Sequence, residues 1–203
     1  MILFARIIAP VALAAALLAA PAAAQAQSAL PQPPDDLPKA QRADPPNLDR
    51  LFEALKAAPD EGSAKAVENR IWAQWLVSRS DTANLLMSRV RIAIEAKDLD
   101  LAMKLLDVII ETRPDYTEAW NRRATLHYMR REVGPAVSDI RQVLAREPRH
   151  FGALSGLGMI LEELGDDKRA LEAFQRAVDV YPKLPRIPER IKDLTEKVRG
   201  RDI

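Results

Sequence analysis

Residues 151–182 read FGALSGLGMILEELGDDKRALEAFQRAVDVYP, and one step of thirty-four upstream residues 117–148 read TEAWNRRATLHYMRREVGPAVSDIRQVLAREP. A second such step reaches ANLLMSRVRIAIEAKDLDLAMKLLDVIIETRP at residues 83–114. Superposed, the three stretches bring Ala102, Ala136 and Ala170 into one column and Pro114, Pro148 and Pro182 into another. With 15 prolines in 203 residues, a given proline has only about a 0.5% chance of recurring at both of the next two steps, so the chain is built from a repeating unit.

Other columns fall into line with these: Leu86, Trp120 and Leu154; Val90, Ala124 and Gly158; Leu106, Ile140 and Phe174; Ile109, Val143 and Ala177. Within a unit the apolar residues keep helical spacing, as in Leu86, Val90 and Ala93, then Leu101, Leu105, Val108 and Ile109, which predicts two helices per unit. Polar or glycine breaks separate them at Lys97-Asp98, Arg131-Glu132 and Gly165-Asp166-Asp167. Each second helix runs into its proline, which lacks an amide hydrogen and crowds the preceding turn.

These units resemble the tetratricopeptide repeat, a helix-turn-helix of this length and pattern. The third unit matches from end to end. The second keeps Trp120, Ala124, Ala136 and Pro148, and the first keeps Leu86, Ala102 and Pro114, with Val90 where the family has a small residue. The resemblance covers about half the chain. It implies an all-α fold, a tetratricopeptide-repeat helical solenoid of antiparallel helix pairs in a right-handed superhelix with capping helices, and a partner-binding rather than a defined chemical role.

Upstream, residues 1–26 carry one charge, Arg6, an apolar run from Ile7 to Ala20, and small residues at Ala22-Ala23-Ala24 and Ala24-Gln25-Ala26. This is the pattern of a secretory signal peptide, cleaved after Ala24 or Ala26. An uncleaved anchor is the alternative, although the apolar run is short of the 20 or so residues that span a bilayer. The chain has no cysteine, which excludes disulfides, thiol catalysis and a lipid-modified cysteine at the cleavage site. A periplasmic or secreted protein is expected, and the alanine- and arginine-rich composition fits a bacterial periplasm.

Residues 27–46 hold Pro31, Pro33, Pro34, Pro38, Pro45 and Pro46 and almost no large apolar residue, so a disordered, partly polyproline linker is expected. Its alternative role is a proline-rich ligand for another module. Over 47–82 a helix capped by Asn47 carries Leu48, Leu51, Phe52 and Leu55, and a second, from about Ser63 to Ser78, carries Val67, Ile71, Trp72, Trp75 and Leu76. The thirty-four step sets Phe52 under Leu86, and Trp72 and Trp75 under Leu106 and Ile109, with Glu68 breaking the alanine column. A degenerate repeat acting as an N-terminal cap is the expectation. Three units then occupy 83–184, and over 185–203 a helix from about Pro188 to Arg199, striped by Ile187, Ile191, Leu194 and Val198, closes the stack.

The residues that could do chemistry are sparse. His127 shares a column with Ala93 and Leu161, which predicts a satisfied core histidine. His150 lies between units, where a cap or surface role is expected. No serine-histidine-acid motif, glycine-rich phosphate loop or metal-spaced histidine pair occurs, so no enzymatic activity, catalytic residue, cofactor or metal is expected. The acids Glu162, Glu163, Asp166 and Asp167 suit capping and solvation. With 30 basic and 29 acidic side chains, one of the bases being Arg6 in the leader, the charge is balanced, and neither nucleic acid nor an anionic membrane is an expected partner. A monomer that is not inserted in the membrane after signal cleavage is expected.

The family resemblance implies that the first helices line a concave groove. It places there Asn84, Met87, Arg91 and Glu95; Glu118, Asn121, Arg122, Thr125 and Tyr128; and Gly152, Ser155, Gly156, Met159 and Glu162. A protein or peptide is the expected ligand. An accessory or regulatory role toward a cell-envelope enzyme or assembly, through convex or end surfaces, is the alternative. Gly152 and Gly156 weaken their helix by about 1 kcal/mol each relative to alanine. Two readings account for them: a low groove floor under a partner's backbone, or close packing onto the terminal helix pair. The lysine and asparagine set with which some family members hold a C-terminal carboxylate is mostly missing, the matching places being Met87, Arg91, Arg122, Gly152 and Gly156. Arg89 and Arg123, in one column, could grip a carboxylate in register, whereas the resemblance implies scaffold, with stems packed and heads in solvent.

Overall fold

The computed structural model describes residues 48–201, and among them the regular elements are nine helices: α1 (Leu48–Lys56), α2 (Glu61–Trp75), α3 (Asp81–Glu95), α4 (Leu99–Thr112), α5 (Thr117–Met129), α6 (Val133–Arg146), α7 (Phe151–Glu163), α8 (Asp167–Val180) and α9 (Ile187–Arg201). The expected leader, the proline-rich segment and the cap Asn47 lie outside the described residues. The pairs α3/α4, α5/α6 and α7/α8 are the three superposable units.

Each pair turns at the same place for the same reason. Lys97, Arg131 and Gly165 all take a positive φ, of 61°, 63° and 78°. The next amide reaches back to close the helix end, Asp98 N to Ala93 O at 2.8 Å, Glu132 N to His127 O at 2.9 Å and Asp166 N to Leu161 O at 2.9 Å, as in a Schellman cap. Glycine takes that conformation without the cost a side chain incurs. Asp98 and Asp166 then cap α4 and α8 by accepting from Leu101 N and Arg169 N.

The columns of the repeat form the core. Ala102, Ala136 and Ala170 are fully buried, as are Leu106 and Phe174 and the column of Ile109, Val143 and Ala177. Small residues there let paired helices approach closely. A Cβ on Gly158 would lie 2.5 Å from the Phe174 ring, so Gly158→Ala forces a buried aromatic to shift and is expected to lose roughly 1–2 kcal/mol. Gly156→Ala meets only Ile140 Cδ1 at 3.9 Å and is expected to gain about 0.5–1 kcal/mol from helix propensity. Urea unfolding of the two variants beside the parent measures both, and the opposite order would refute the assignment.

In α4 the stripe of Leu101, Leu105, Val108 and Ile109 is buried only in part, Ile109 being enclosed and Leu105 packed at the edge of the core. Leu101 and Val108 are each 45% exposed, while Ala102, Leu106, Ile109 and Ile110 face inward. Nearly every position of this helix is apolar, so spacing alone defines two stripes. α9 covers the last repeat as expected, with Ile187 and Leu194 buried against Ala170 and Phe174, and Lys197 Nζ 2.8 Å from the buried Asp167.

The N-terminal pair departs from expectation. α1 and α2 do not stack under α3/α4. Leu51, Phe52, Leu55, Ala64, Ile71 and Trp75 form one cluster with Phe151 and Tyr181, the ends of the third unit's helices. Arg149 ties α1 down, its Nη1 2.7 Å from Asp49 Oδ1 and its guanidinium 4.2 Å from the centre of the Phe52 ring. α2 begins at Glu61, because Asp60 accepts from Ser63 N at 2.7 Å, and stops at Trp75 rather than Ser78. Beyond it Asn84 accepts from Ser78 N and donates to Ser78 O, at 2.7 and 3.0 Å, and Tyr116 donates to Leu76 O at 2.7 Å. Ser80 stands where the other units have Pro114, Pro148 and Pro182.

Candidate functional site

The first helices α3, α5 and α7 share one face, and α2 lies across its edge near the N-terminal ends of α5 and α7. The Trp75 indole stacks on His150 with centroids 4.1 Å apart and planes at 11°, and Trp72 meets the same imidazole edge-on at 5.5 Å. His150 is fully buried. Its Nδ1 accepts from Ala153 N at 3.0 Å and so caps α7, which leaves the proton of a neutral ring on Nε2, 3.6 Å from Glu118 Oε2. The cap half of the expectation for His150 therefore holds and the surface half does not.

Beside α2 a cavity of about 480 Å³ opens onto this face, lined by Trp72 of α2 and Leu76 just beyond it, Ile94 from α3, and Glu118, Asn121, Arg122, Thr125, Leu126 and Met129 along α5. A smaller one of about 140 Å³ lies between α5 and α7, shares Asn121 and Thr125 with the first, and is floored by Ala124, Ile140, Gly156 and Ile160 with Tyr128 and Met159 at its sides. The two form one groove with an apolar floor and a polar middle. Glu118, only 2% exposed, sits at its inner end and accepts from Asn121 Nδ2 at 3.0 Å. Arg122 Nε lies 3.2 Å from Glu118 Oε1, a charge contact without hydrogen-bond geometry.

Of the residues expected in the groove, Glu118, Asn121, Arg122, Thr125, Tyr128, Gly152, Gly156 and Met159 come together there. Six, Asn84, Met87, Arg91, Glu95, Ser155 and Glu162, do not line it. Met87 is buried, at 6% exposure, in the core of the first unit, where its flexible unbranched side chain fills the packing. Asn84 is spent on the 76–80 connection. Arg91 pairs with Glu95 in solvent, Ser155 donates to Phe151 O within its own helix, and Glu162 is held by Arg190 of α9. Tyr128 donates to Glu163 Oε2, and that bond to a carboxylate raises its phenol above the ordinary value.

The two glycines divide between their readings. Gly156 has open groove above it, whereas a Cβ on Gly152 would lie 3.1 Å from Trp72 Cη2, so Gly152 admits the α2 indole. Trp72, Leu76, Ile94, Leu126 and Met129 are groove residues that pattern reading missed. The signals that set α2 apart are Glu68 in the alanine column and Ser80 in the proline column. His127 is half-buried, its Nδ1 2.6 Å from Glu132 Oε2, and this bond lowers the Glu132 carboxyl.

Three superposable helix pairs with a groove on their first helices define a helical-repeat binding scaffold. A family model for the tetratricopeptide repeat matches residues 121–185. A TPR repeat-containing protein of Rhizobium etli is 44% identical over 153 residues, covering 75% of each chain, and the chain belongs to this tetratricopeptide-repeat family. Among solved structures, the Sgt2 TPR domain from Aspergillus fumigatus superposes with a TM-score of 0.55 at 18% identity, over 61% of this chain and 83% of that one. MamA does so at 0.55 and 18%, over 70% and 87%. The first TPR of Spaghetti (RPAP3), solved bound to the HSP90 peptide SRMEEVD, does so at 0.56 and 16%, over 61% and 98%. At these identities the likeness is one of fold.

Proposed function

We propose that this chain is an exported, non-enzymatic scaffold of the bacterial periplasm that binds a segment of a protein partner in the groove along α5 and α7. The observation that carries the reading is the continuity of the two cavities through Asn121 and Thr125. An apolar floor flanked by a few polar groups suits a peptide whose side chains enter the groove and whose backbone passes over Gly156. A related fold solved bound to a peptide, the RPAP3 repeat with its HSP90 segment, supports a peptide as the class of ligand, while the export half rests on the leader-like residues 1–26.

Thr125 and Met159 are exposed, so Thr125→Arg with Met159→Glu fills and charges the groove without disturbing the core. Crosslinking in the envelope fraction is expected to yield a partner that this variant loses by at least tenfold, about 1.4 kcal/mol, and that Leu101→Asp with Val108→Asp on the outer face retains. Loss on the outer face alone would overturn the groove reading. Fractionation of the full chain tests the compartment, and recovery with the cytoplasm would refute it.

A further inference from the structure

Leu85 and Ile92 of α3 are each 56% exposed. One and two repeat steps on, the same positions are Ala119 and Leu126, then Ala153 and Ile160, all at most 2% exposed. Ala119 and Leu126 share a cluster with Leu106, Ile109 and Ile110 of the preceding pair, and Ala153 and Ile160 with Ile140 and Val143. The outer face of the first repeat therefore carries the side chains that receive a preceding second helix. The helix that precedes it in the chain is α2, whose Trp72, Trp75 and Leu76 stand one step before Leu106, Ile109 and Ile110.

α2 thus has one apolar face and two surfaces that match it, and it can cover only one at a time. From this we infer that α1–α2 is a strap with two seats: the one seen, across the groove edge against His150 and Phe151, and a second, stacked on Leu85 and Ile92 of α3. The connection is long enough for both. Residues 76–80 number five, against four in each of the 113–116 and 147–150 connections, and no proline occurs at 80 to stop α2 from continuing by another turn. What holds the first seat at the hinge is polar and local, the paired bonds between Asn84 and Ser78 and the bond from Tyr116 to Leu76 O. In the second seat Trp72 and Leu76 leave the groove, which then extends over His150 and Gly152. The strap thereby regulates the site proposed above, and its consequence, though not its test, rests on that reading.

The chain has no cysteine, so spin labels can be placed at Glu53→Cys and Asp179→Cys, which border one depression between α1 and α8. Pulsed distance measurement on the full chain without partner is expected to show a short distance and a minor long one. Asn84→Ala and Tyr116→Phe, each tested alone, are expected to raise the long fraction several-fold, the former by about tenfold for two hydrogen bonds. Adding Leu85→Asp and Ile92→Asp, both at exposed positions, is expected to abolish the gain. The two-seat inference falls if neither hinge variant lengthens the distance, if the aspartates leave the gain intact, or if the long fraction grows with protein concentration, which would mean that a second copy covers the face. None of these readouts depends on a groove partner, so this inference and the groove reading fail separately.

Discussion

Arg123→Ala is expected to lower the unfolding free energy by about 3 kcal/mol or more, the cost of leaving a buried charge without its partner. Arg123 spans two repeats. Its Nε and Nη2 each lie 2.8 Å from the Asp139 carboxylate of α6, its Nη1 2.8 Å from Asp107 of α4, and its guanidinium 5.0 Å from the Trp120 ring centre. The hydrogen bonds to Asp139 come first among the causes that raise this guanidinium above its ordinary value, outweighing its partial burial. Asp139 is 3% exposed, so its charge has little water to fall back on. Asp139→Leu is expected to cost less, because Arg123 keeps Asp107 and the indole face. Arg123→Met with Asp139→Leu together should recover much of the loss, since two apolar side chains leave nothing unpaired. Urea unfolding of the three variants decides it. A double variant that loses the sum of the two single losses would show that the pair is not the unit of stability.

This arginine also shows what a repeat pattern conveys. Its column holds Arg89, Arg123 and Leu157, and packed-stem scaffold is the role the family resemblance implies for it. The partners Asp107 and Asp139 lie on the second helices of two successive units, and no spacing rule connects them to Arg123. The same limit governs the rest of the fold. The thirty-four step reports which residues share a helix face, and so it located α3 to α8 and the turns at Lys97, Arg131 and Gly165, while the helical spacing of Ile187, Ile191, Leu194 and Val198 located the stripe of α9. It does not report what covers a face. Met87 and the Leu101 and Val108 stripe were misplaced because α3 and α4 carry more apolar residues than one stripe needs, and only the neighbour decides among them. The seat of α2 was illegible for a stronger reason: Trp75 meets His150 seventy-five positions away, a contact made outside the period altogether. Half of the groove was visible because α5 and α7 obey the repeat. Its α2 wall was not, because there the chain leaves it.

Raising the pH from about 10 toward 12 is expected to release α2 and to destabilise the fold by roughly 2–3 kcal/mol for each of two tyrosines, at 1.36 kcal/mol per pKa unit. Tyr116, 6% exposed, and Tyr181, 1% exposed, both hold α2. Tyr116 donates to Leu76 O at 2.7 Å and Tyr181 to Glu68 Oε2 at 3.2 Å. Burial pushes the Tyr116 phenol up from 10.0 to about 12, with the Glu118 charge adding to it and Arg122 opposing. Tyr181 is likewise pushed up to about 12, by burial first and then by the Glu68 charge and hydrogen bond. In the unfolded chain both ionise near the ordinary value of 10. Below that pH the phenols are protonated in both states and their contribution is fully present. Between 10 and 12 only the unfolded chain gives up its protons, so stability falls through that interval and levels off above the folded value. Lysine side chains in general lose their charge over this range, so the comparison needs Tyr116→Phe with Tyr181→Phe. That double variant starts with α2 held less firmly at neutral pH but has no phenol to ionise at these sites. Tryptophan fluorescence follows Trp72 and Trp75 as they leave His150, and thermal melts at stepped pH follow stability. The parent should lose both signals over this window and the double variant should be nearly flat. Parallel losses in the two would assign the transition to lysine and remove the phenols as the clasps of α2.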